Sequence, residues 1–265
     1  MTQRKKTEGE IITLEQFFKE NKKCALGFSG GVDSSYLLYT GNKYGAKIKA
    51  YFVKTAFQPD FELRDARKIA ENIGVEITVI KKNILDNAEV ISNPSDRCYF
   101  CKRSIFTTLH SQAVADGIPL IIDGTNASDD ISDRPGMKAL NELSVRSPLR
   151  ECGITKDEIR CLSKEAGLFT WDKPAYACLA TRVPTGMTIT HELLQKVEKA
   201  EDVLFSYGFS DFRVRVVGNS SNNICTKLQL PKEQINNLIE KRQEIVKAIK
   251  LFFPSVLLDL EGRNE

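Results

Sequence analysis

The sequence contains no apolar run close to the roughly 18 residues that a membrane span needs. Its first ten residues, MTQRKKTEGE, lack the apolar core of a secretory signal, so we expect a protein of the cytoplasm. The net charge of +3 is small and spread along the chain, which disfavours a dedicated nucleic-acid footprint. Internal repeats and low-complexity segments are also missing. A chain of 265 residues then suits one large domain, or one medium and one small domain.

Predicted strands and helices alternate through the first 185 residues. The predicted strands are 24–28, 48–55, 75–82 and 119–125, and the predicted helices are 14–23, 33–45, 61–74, 102–117 and 155–167. This alternation is typical of an α/β fold with a doubly wound, mostly parallel sheet that is covered by helices on both faces.

The order of elements changes after about residue 185. A helix at 190–208 is followed by strands at 212–218 and 223–230, a helix at 231–252 and a strand at 255–260. This order predicts a small C-terminal α+β domain. We therefore predict two domains, residues 1–185 and residues 186–265.

The segment SGGVDSS (29–35) stands where the first strand should turn into a helix. Glycines let a backbone approach an anion closely, and a helix N-terminus offers free N–H groups and partial positive charge. In an open parallel sheet, ligands bind at this end of the strands. The segment lacks the lysine of a Walker A loop and does not match G-x-G-x-x-G. From the pattern alone, a plain tight turn is the alternative to an anion site.

Seven cysteines are many for a chain without a secretion signal, and an odd number argues against a disulfide framework. Cys98 and Cys101 form a C-x-x-C pair just before the helix predicted at 102–117. Three interpretations compete, namely a redox pair, half of a zinc site, or part of an iron–sulfur site. The chain has only two histidines and no second C-x-x-C, so a zinc site would need scattered partners.

Four other cysteines are interpreted as structural. Cys24 and Cys225 fall in predicted strands, and Cys161 falls at an apolar position of a predicted helix. Cys152 lies in a loop without an obvious partner. A free cysteine commonly behaves as a small hydrophobic residue, so we expect these four to contribute packing.

SGGVDSS resembles the S-G-G-x-D-S loop of the PP-loop ATP pyrophosphatases. Those enzymes split ATP between the α and β phosphates, adenylylate an oxygen, and let nitrogen or sulfur displace AMP. The resemblance implies that Asp33 helps to hold Mg²⁺ and serves catalysis, since Mg²⁺ prefers oxygen ligands and phosphate. It also implies a set of pyrophosphate ligands, namely Ser29, Gly30, Gly31, Ser34 and Ser35.

The segment DGTN (123–126) follows another predicted strand end. Its composition alone is that of a solvated turn. In PP-loop enzymes a G-T-N at this place lines the nucleotide site, which implies nucleotide contacts from Gly124, Thr125 and Asn126.

The segment SPLRECGITKDEIRCLSKEAGL (147–168) also resembles a family segment, in which Arg150 and Lys156 could reach phosphate. For Lys156 a surface charge is an equal alternative, because Thr155 and Glu158 form a predicted capping box that starts a helix there.

The segment KPAYACLATRVPTG (173–186) resembles the P-x-Y-A-C-L-A-x-R-x-P motif of the LarE family, whose members insert sulfur during synthesis of the nickel-pincer nucleotide cofactor. The reactive cysteine of that motif corresponds to Cys178. The resemblance extends over nearly the whole chain, because it also includes the SGGVDSS loop, R-C-Y-x-C-K (97–102), S-P-L (147–149) and FRVRVVG (212–218). It implies the family substrate, pyridinium-3,5-biscarboxylic acid mononucleotide, whose carboxylates become thiocarboxylates, and a separate sulfide donor.

The resemblance leaves two sulfur sources open. Some members give up the sulfur of their own cysteine, which leaves dehydroalanine, whereas others hold a 4Fe–4S cluster whose open iron takes up a sulfide. Because Cys98, Cys101 and Cys178 occupy the three family positions, we expect the cluster, with ATP and Mg²⁺ as the further cofactors. Sacrifice of Cys178 is the alternative.

Two other kinds of protein remain in view. A tRNA-thiolation enzyme can use the same loop and a three-cysteine cluster, but it would normally bring an RNA-binding module. A metal or redox protein without enzymatic activity would explain the C-x-x-C pair but not SGGVDSS.

Arginines stand close to the cysteine motif and on a predicted strand. Arg213 and Arg215 alternate along 212–218 and therefore point to one face, which on the pattern alone is a solvated face. The resemblance makes them phosphate ligands, at a subunit interface of a homo-oligomer, with Glu201 as the acidic residue there. Arg182, four residues after Cys178, either supports the activated substrate or packs its stem.

Overall fold

The computed structural model describes residues 12–129, 135–218 and 224–263. The first ten residues, where no secretory signal is predicted, and Asn223, at the start of a predicted strand, lie outside these ranges. The helices are α1 (Leu14–Glu20), α2 (Val32–Lys43), α3 (Asp60–Ile73), α4 (Ala88–Ile91), α5 (Arg97–Ala115), α6 (Pro135–Glu142), α7 (Pro148–Glu151), α8 (Lys156–Glu165), α9 (His191–Ser206), α10 (Lys232–Glu240) and α11 (Arg242–Ile249). The strands are β1 (Lys23–Gly27), β2 (Lys47–Lys54), β3 (Ile77–Lys81), β4 (Ile121–Ile122), β5 (Arg213–Val217), β6 (Cys225–Gln229) and β7 (Val256–Leu258). Short 3₁₀ turns occur at Ile84–Asp86 and Leu179–Arg182.

The described residues divide into two compact units that are discontinuous in sequence. The first unit comprises residues 12–53, 62–80 and the described part of 105–173. The second unit comprises residues 54–61, 81–104 and the described part of 174–263. The second unit therefore contains both the C-x-x-C pair and the Cys178 segment. These compact units do not test the domain boundary expected at residue 185, which stays a prediction.

The first unit is built on a four-stranded sheet in the order β3-β2-β1-β4. β1 pairs in parallel with β2, from Lys23 opposite Lys47, and with β4, where Leu26 is opposite Ile122. Side chains alternate along β1, since Leu26 packs into one apolar cluster and Ala25 into another. Both faces of the sheet are therefore covered, which confirms the predicted α/β fold.

Helices on the two faces complete this core. The first cluster contains Phe17 of α1, Leu37 of α2 and Ile159 of α8, whereas the second contains Leu109 and Ala113 of α5. No helix among the described residues is both long and apolar enough to cross a membrane.

The second unit is built on a three-stranded sheet in the order β5-β6-β7, antiparallel between β5 and β6 and parallel between β6 and β7. Helix α9 packs on it through an apolar stripe that includes Val197 and Leu204. The single helix predicted at 231–252 is wrong, because the chain turns at Lys241 between α10 and α11. Leu238 before the turn and Ile245 after it are both buried in one core cluster.

Candidate active site

At one position of the loop between β1 and α2, only glycine suits the backbone conformation. Gly30 has a φ of +72°, and a Cβ there would lie 2.9 Å from the Cα of Ala66 on α3. Gly31 is the N-cap of α2, and no side chain caps the helix there. The sequence thus leaves the first N–H groups of a twelve-residue helix without a capping side chain, as an anion site requires.

Serine hydroxyls close this loop. The Oγ atoms of Ser29 and Ser34 lie 3.1 Å apart, the backbone N–H of Gly31 donates to Ser29 Oγ at 3.3 Å, and Ser34 Oγ donates to the Gly31 carbonyl at 3.3 Å. The buried hydroxyl of Ser35 has no hydrogen-bond partner in the part of the chain that the structure describes. Buried hydroxyls normally have a partner, so this atom is a candidate for an added ligand.

Asp33 forms an ion pair with Lys156 at this loop. The Nζ of Lys156 lies 2.6 Å from Oδ2 and 2.9 Å from Oδ1 of Asp33, and both side chains are partly buried. Burial raises the pKa of Asp33, and the Lys156 cation opposes that shift. Lys156 begins α8 directly after Thr155, whose predicted capping box with Glu158 is confirmed. Lys156 therefore faces the loop.

The DGTN segment lies against the start of α2. A Cβ on Gly124 would lie 3.0 Å from the backbone nitrogen of Ser34, so this close approach favours glycine. Thr125 is buried, and its Oγ1 donates to Oδ2 of Asp123 at 2.6 Å. The hydroxyl of Ser147 donates to the other oxygen of Asp123, also at 2.6 Å. Sequence reasoning named the G-T-N and missed Asp123, which holds it in place.

Asn126 and Arg150 organise the turn that follows. The buried Asn126 accepts at Oδ1 from the N–H of Ser128 at 2.8 Å, and its own N–H donates to Asp129 at 3.1 Å. Arg150 Nη1 donates to the Asp129 carbonyl at 3.1 Å. In this structure Arg150 supports the turn beside the loop.

The C-x-x-C pair lies inside a helix, not before one as the sequence analysis expected. Helix α5 begins at Arg97, five residues before the predicted start. The preceding segment 93–96, Asn-Pro-Ser-Asp, has the residue types that start helices, so the signal was present in the sequence. Cys98 and Cys101 are consequently three residues apart on one helix face.

Cys178 lies at the N-cap position of the 3₁₀ turn Leu179–Arg182. Cys98 is exposed, whereas Cys101 and Cys178 are partly buried. Burial raises the pKa of the Cys101 thiol to about 12, with further increases from the sulfurs of Cys178 and Cys98. Burial also raises the pKa of Cys178, and the Arg97 cation opposes that shift. Cys101 and Cys178 both pack against the same apolar cluster, and Arg97 contacts both the Cys98 sulfur and the Ala180 carbonyl, so the three thiols lie in one part of the second unit.

The three thiols are a donor set without histidine or carboxylate. Among the described residues, no three His, Cys, Asp or Glu side chains are grouped so that they could hold a metal ion. A cubane cluster is a larger body than one ion, and it is held by cysteine thiolates. The soft sulfur ligands of Cys98, Cys101 and Cys178 fit that group by their chemistry.

The other cysteines follow the structural interpretation only in part. Cys24 is fully buried in β1, as expected. Cys161 is exposed, which contradicts the apolar position that the sequence analysis gave it. Helix α8 buries Ile159 and Ser163 instead, and a residue two positions from each lies on the other side of the helix.

Arg182 and Glu201 form a buried ion pair beside the Cys178 turn. Nε of Arg182 lies 2.7 Å from Oε1 of Glu201, and the two side chains are 0% and 2% exposed. Glu201 also accepts from the Tyr176 hydroxyl and from the N–H of Val214, the latter at 3.2 Å. Arg182 Nη1 donates to the carbonyl of Ala177 at 2.9 Å. The pair therefore fixes the backbone that precedes Cys178.

Arg213 and Arg215 differ in exposure. Arg213 is buried, donates to the carbonyls of Phe212 at 2.9 Å and Ala175 at 3.1 Å, and has its pKa lowered by burial to about 10. Arg215 is exposed and donates to Gln229 and to the Thr181 carbonyl. Sequence reasoning identified both arginines but did not single out Arg97, the first residue of the R-C-Y-x-C-K segment, whose guanidinium donates to the carbonyl of Ala180 at 3.0 Å.

A glycine-rich loop that leads from a parallel strand into an uncapped helix, beside a G-T-N turn, is the architecture of the PP-loop class of ATP-using enzymes. A family model described as asparagine synthase matches residues 16–140. The protein slr1717 of Synechocystis sp. is 38% identical over 96% of this chain and 95% of its own length. Pyridinium-3,5-bisthiocarboxylic acid mononucleotide synthase of Lactiplantibacillus plantarum is 29% identical over 94% of this chain and 90% of its own length.

With these matches the chain belongs to the LarE family, as its cysteine motif indicated, and it is an ATP-dependent sulfurtransferase. A more distant relative, the tRNA-specific 2-thiouridylase MnmA of Pseudothermotoga lettingae, is 29% identical over 57% of this chain and 54% of its own length.

Proposed function

We propose that the protein adenylylates a carboxylate of pyridinium-3,5-biscarboxylic acid mononucleotide and then replaces an oxygen of that carboxylate by sulfur. The proposal rests mainly on the combination of a phosphate-binding loop with three neighbouring thiols in one chain. The relative from Lactiplantibacillus plantarum, whose name includes the bisthiocarboxylic acid product, supports the substrate.

In the first step the loop binds the β and γ phosphates of ATP. The ligands would be Ser29, Gly30, Gly31, Ser34 and Ser35, and Gly124, Thr125, Asn126 and Arg150 would line the nucleotide. Asp33 would hold Mg²⁺, which carries the phosphates. The substrate carboxylate then attacks the α phosphorus, the bond to the bridging oxygen breaks, and pyrophosphate leaves. Uncapped N–H groups and cations stabilise the negative charge that develops.

The second step needs sulfur at the activated carbon. Cys98, Cys101 and Cys178 would hold a 4Fe–4S cluster, and the chemistry that this cluster would supply when bound is delivery of sulfur at the oxidation level of sulfide. AMP is then the leaving group. Because a sulfide delivered this way comes from outside the chain, a separate sulfide donor must replenish it, and Cys178 survives turnover.

The phosphate of the substrate nucleotide needs a cationic site of its own. Arg215 is exposed on β5, and Arg213 lies two residues before it on the same strand face. We assign them to this phosphate, at a subunit interface of a homo-oligomer. Glu201 and Arg182 would contribute by holding the Cys178 turn, since their charged groups are already paired with each other. Size-exclusion chromatography with light scattering of wild type and Arg215→Glu tests the interface.

The decisive experiment measures iron and sulfur in anaerobically purified protein. The proposal expects close to four irons and matching acid-labile sulfide per chain, absorbance in the blue visible range, and loss of both in Cys98→Ser. The control is Cys161→Ser, which changes an exposed cysteine outside the three. Wild-type protein without iron would reject the cluster. A mass loss at Cys178 to dehydroalanine after turnover would establish the sacrificial route instead.

A tRNA-thiolation activity is the second candidate, because the MnmA enzyme shares about half of its length with this chain. The small, spread charge favours a small-molecule substrate and disfavours a nucleic acid. Salt-dependent binding of tRNA at micromolar protein would favour the RNA substrate. We place the protein in the cytoplasm, since its seven cysteines are all free thiols and such thiols persist in reducing compartments.

A further inference from the structure

Arg97 is a buried cation without an acidic partner. The residue is 8% exposed. Within the described ranges its guanidinium contacts the Asn93 side-chain oxygen at 2.6 Å, the Ala180 carbonyl at 3.0 Å and the Cys98 sulfur at 3.9 Å, and no carboxylate. A buried charge is costly unless an opposite charge is near. The arrangement therefore calls for an anion close to Cys98.

Arg97 also connects the two segments that carry the cysteines. Its Nη1 bonds at once to Asn93, before α5, and to the carbonyl of Ala180, two residues after Cys178. Asn93 continues the connection, because its Nδ2 donates to the carbonyls of Val183 at 3.3 Å and Pro184 at 2.7 Å. Asn93 is 1% exposed and adopts a left-handed φ of +52°, so its position is closely defined.

We infer that Arg97 is a positioning residue for the three-cysteine site, which it assembles by bonding the Cys178 turn to the helix of Cys98 and Cys101. Its cation also balances the net negative charge that three thiolates give to a bound cluster. This inference rests on the proposed function for the identity of the anion, but the hydrogen-bonded connection does not. A guanidinium presents several donors in a fixed fork, whereas a lysine offers a point charge on a flexible stem.

The test compares Arg97→Gln and Arg97→Lys with Arg103→Gln, an exposed arginine of the same helix. After anaerobic reconstitution with iron and sulfide, Arg97→Gln should lose iron to a chelator about tenfold faster or more than wild type, as expected when a residue that supports metal ligands is removed. Its midpoint potential should fall, because a lost cation makes the added electron less favourable. Arg97→Lys should keep the potential but lose iron faster, and Arg103→Gln should match wild type in both.

A second measurement needs no iron. Dibromobimane joins thiols that lie close together, so wild type and Arg103→Gln should form a Cys98–Cys178 crosslink that mass spectrometry can map. Arg97→Gln should form it more slowly, with circular dichroism as the check on folding. If Arg97→Gln does not fold, the same comparison is made with Arg97→Lys.

Three results would overturn the inference: no crosslink in wild type, equal crosslinking in the Arg97 and Arg103 variants, or equal iron retention and potential in those variants. If wild type binds no iron but Arg97 variants crosslink slowly, the cluster proposal fails and the positioning role of Arg97 stands.

Discussion

The Nζ of Lys156 lies 2.6 Å from Oδ2 of Asp33, so the aspartate proposed to hold Mg²⁺ forms an ion pair with a lysine. The two residues are 123 positions apart in sequence. If Asp33 holds Mg²⁺ as proposed, its carboxylate would exchange Lys156 for the metal, and the Lys156 ammonium would then be free to bond a phosphate oxygen. Lys156 thus lies at the loop, a placement that the sequence left undecided.

Lys156→Met should lower kcat/KM for ATP by about 10², the order found when one donor to a developing charge is removed. The pH dependence should change in a defined direction. Burial raises the pKa of Asp33 and Lys156 opposes it, so removing the cation raises that pKa further. The acid limb of pyrophosphate release should therefore move to higher pH.

The control for this prediction is Lys164→Met, which changes an exposed lysine of the same helix. Pyrophosphate release measured from pH 5 to pH 9 compares the three proteins. An unmoved acid limb in Lys156→Met would mean that ionisation of Asp33 does not control the reaction.

The sequence allowed prediction of the sheet and the loop because each has a local signal. Apolar runs such as 24–28 form strands, and the glycines of SGGVDSS mark the turn that Gly30 makes with its positive φ. The polar contacts of the site could not be predicted in this way. Asp123 meets Ser147, and Arg97 meets Ala180, only after long stretches of chain have folded. Periodicity carries no information about such pairs.

The start of α5 and the exposure of Cys161 illustrate errors of two kinds. The helix start was missed although Asn-Pro-Ser-Asp (93–96) is a helix-starting segment, so there a local signal was overlooked. For Cys161 the helix was predicted correctly, but the residue was assigned to the wrong face, since packing of Ile159 and Ser163 decides which face of α8 is buried.

Gly30→Ala should destabilise the protein and abolish ATP use. Gly167→Ala should destabilise it less and should impair ATP use less. Both glycines have φ near +70°, so each alanine variant bears the left-handed penalty of about 1–2 kcal/mol. Only at Gly30 would the new Cβ meet backbone, 2.9 Å from the Cα of Ala66, while nothing lies within 4 Å at Gly167. Overpacking there adds about 1–3 kcal/mol.

Urea unfolding and an ATP-dependent pyrophosphate assay on both glycine variants separate the two effects. Equal losses of stability would show that close packing against α3 does not restrict the loop.

Alkylation of the folded protein should distinguish the cysteines by exposure. Iodoacetamide attacks thiolates, so at pH 8 the exposed Cys98 and Cys161 should react first. Cys24 should react only after unfolding, because burial raises its pKa to about 11 and shields its sulfur. Peptide mass spectrometry of metal-free, reduced protein over time measures each rate. Slow labelling of Cys161, comparable with that of Cys24, would contradict the exposed position on α8.

Arg182 and Glu201 should stabilise the fold as a pair, so the losses of unfolding free energy on changing each residue should not be additive. Removing one partner leaves an unpaired buried charge, so Arg182→Met or Glu201→Gln should each lower the free energy of unfolding by about 3–5 kcal/mol. The double variant Arg182→Met/Glu201→Gln should lose less than the sum of the single losses, because it buries no unpaired charge.

The exposed pair Lys196–Glu192 lies on the same helix as Glu201, and truncating it to alanine should change stability too little to resolve. Urea unfolding of all variants gives the coupling between Arg182 and Glu201. Additive losses in the double variant would mean that the two side chains act independently. Faster alkylation of Cys178 in Arg182→Met than in the Lys196 variant would link the pair to the cysteine turn, since Arg182 holds the carbonyl of Ala177 directly before it.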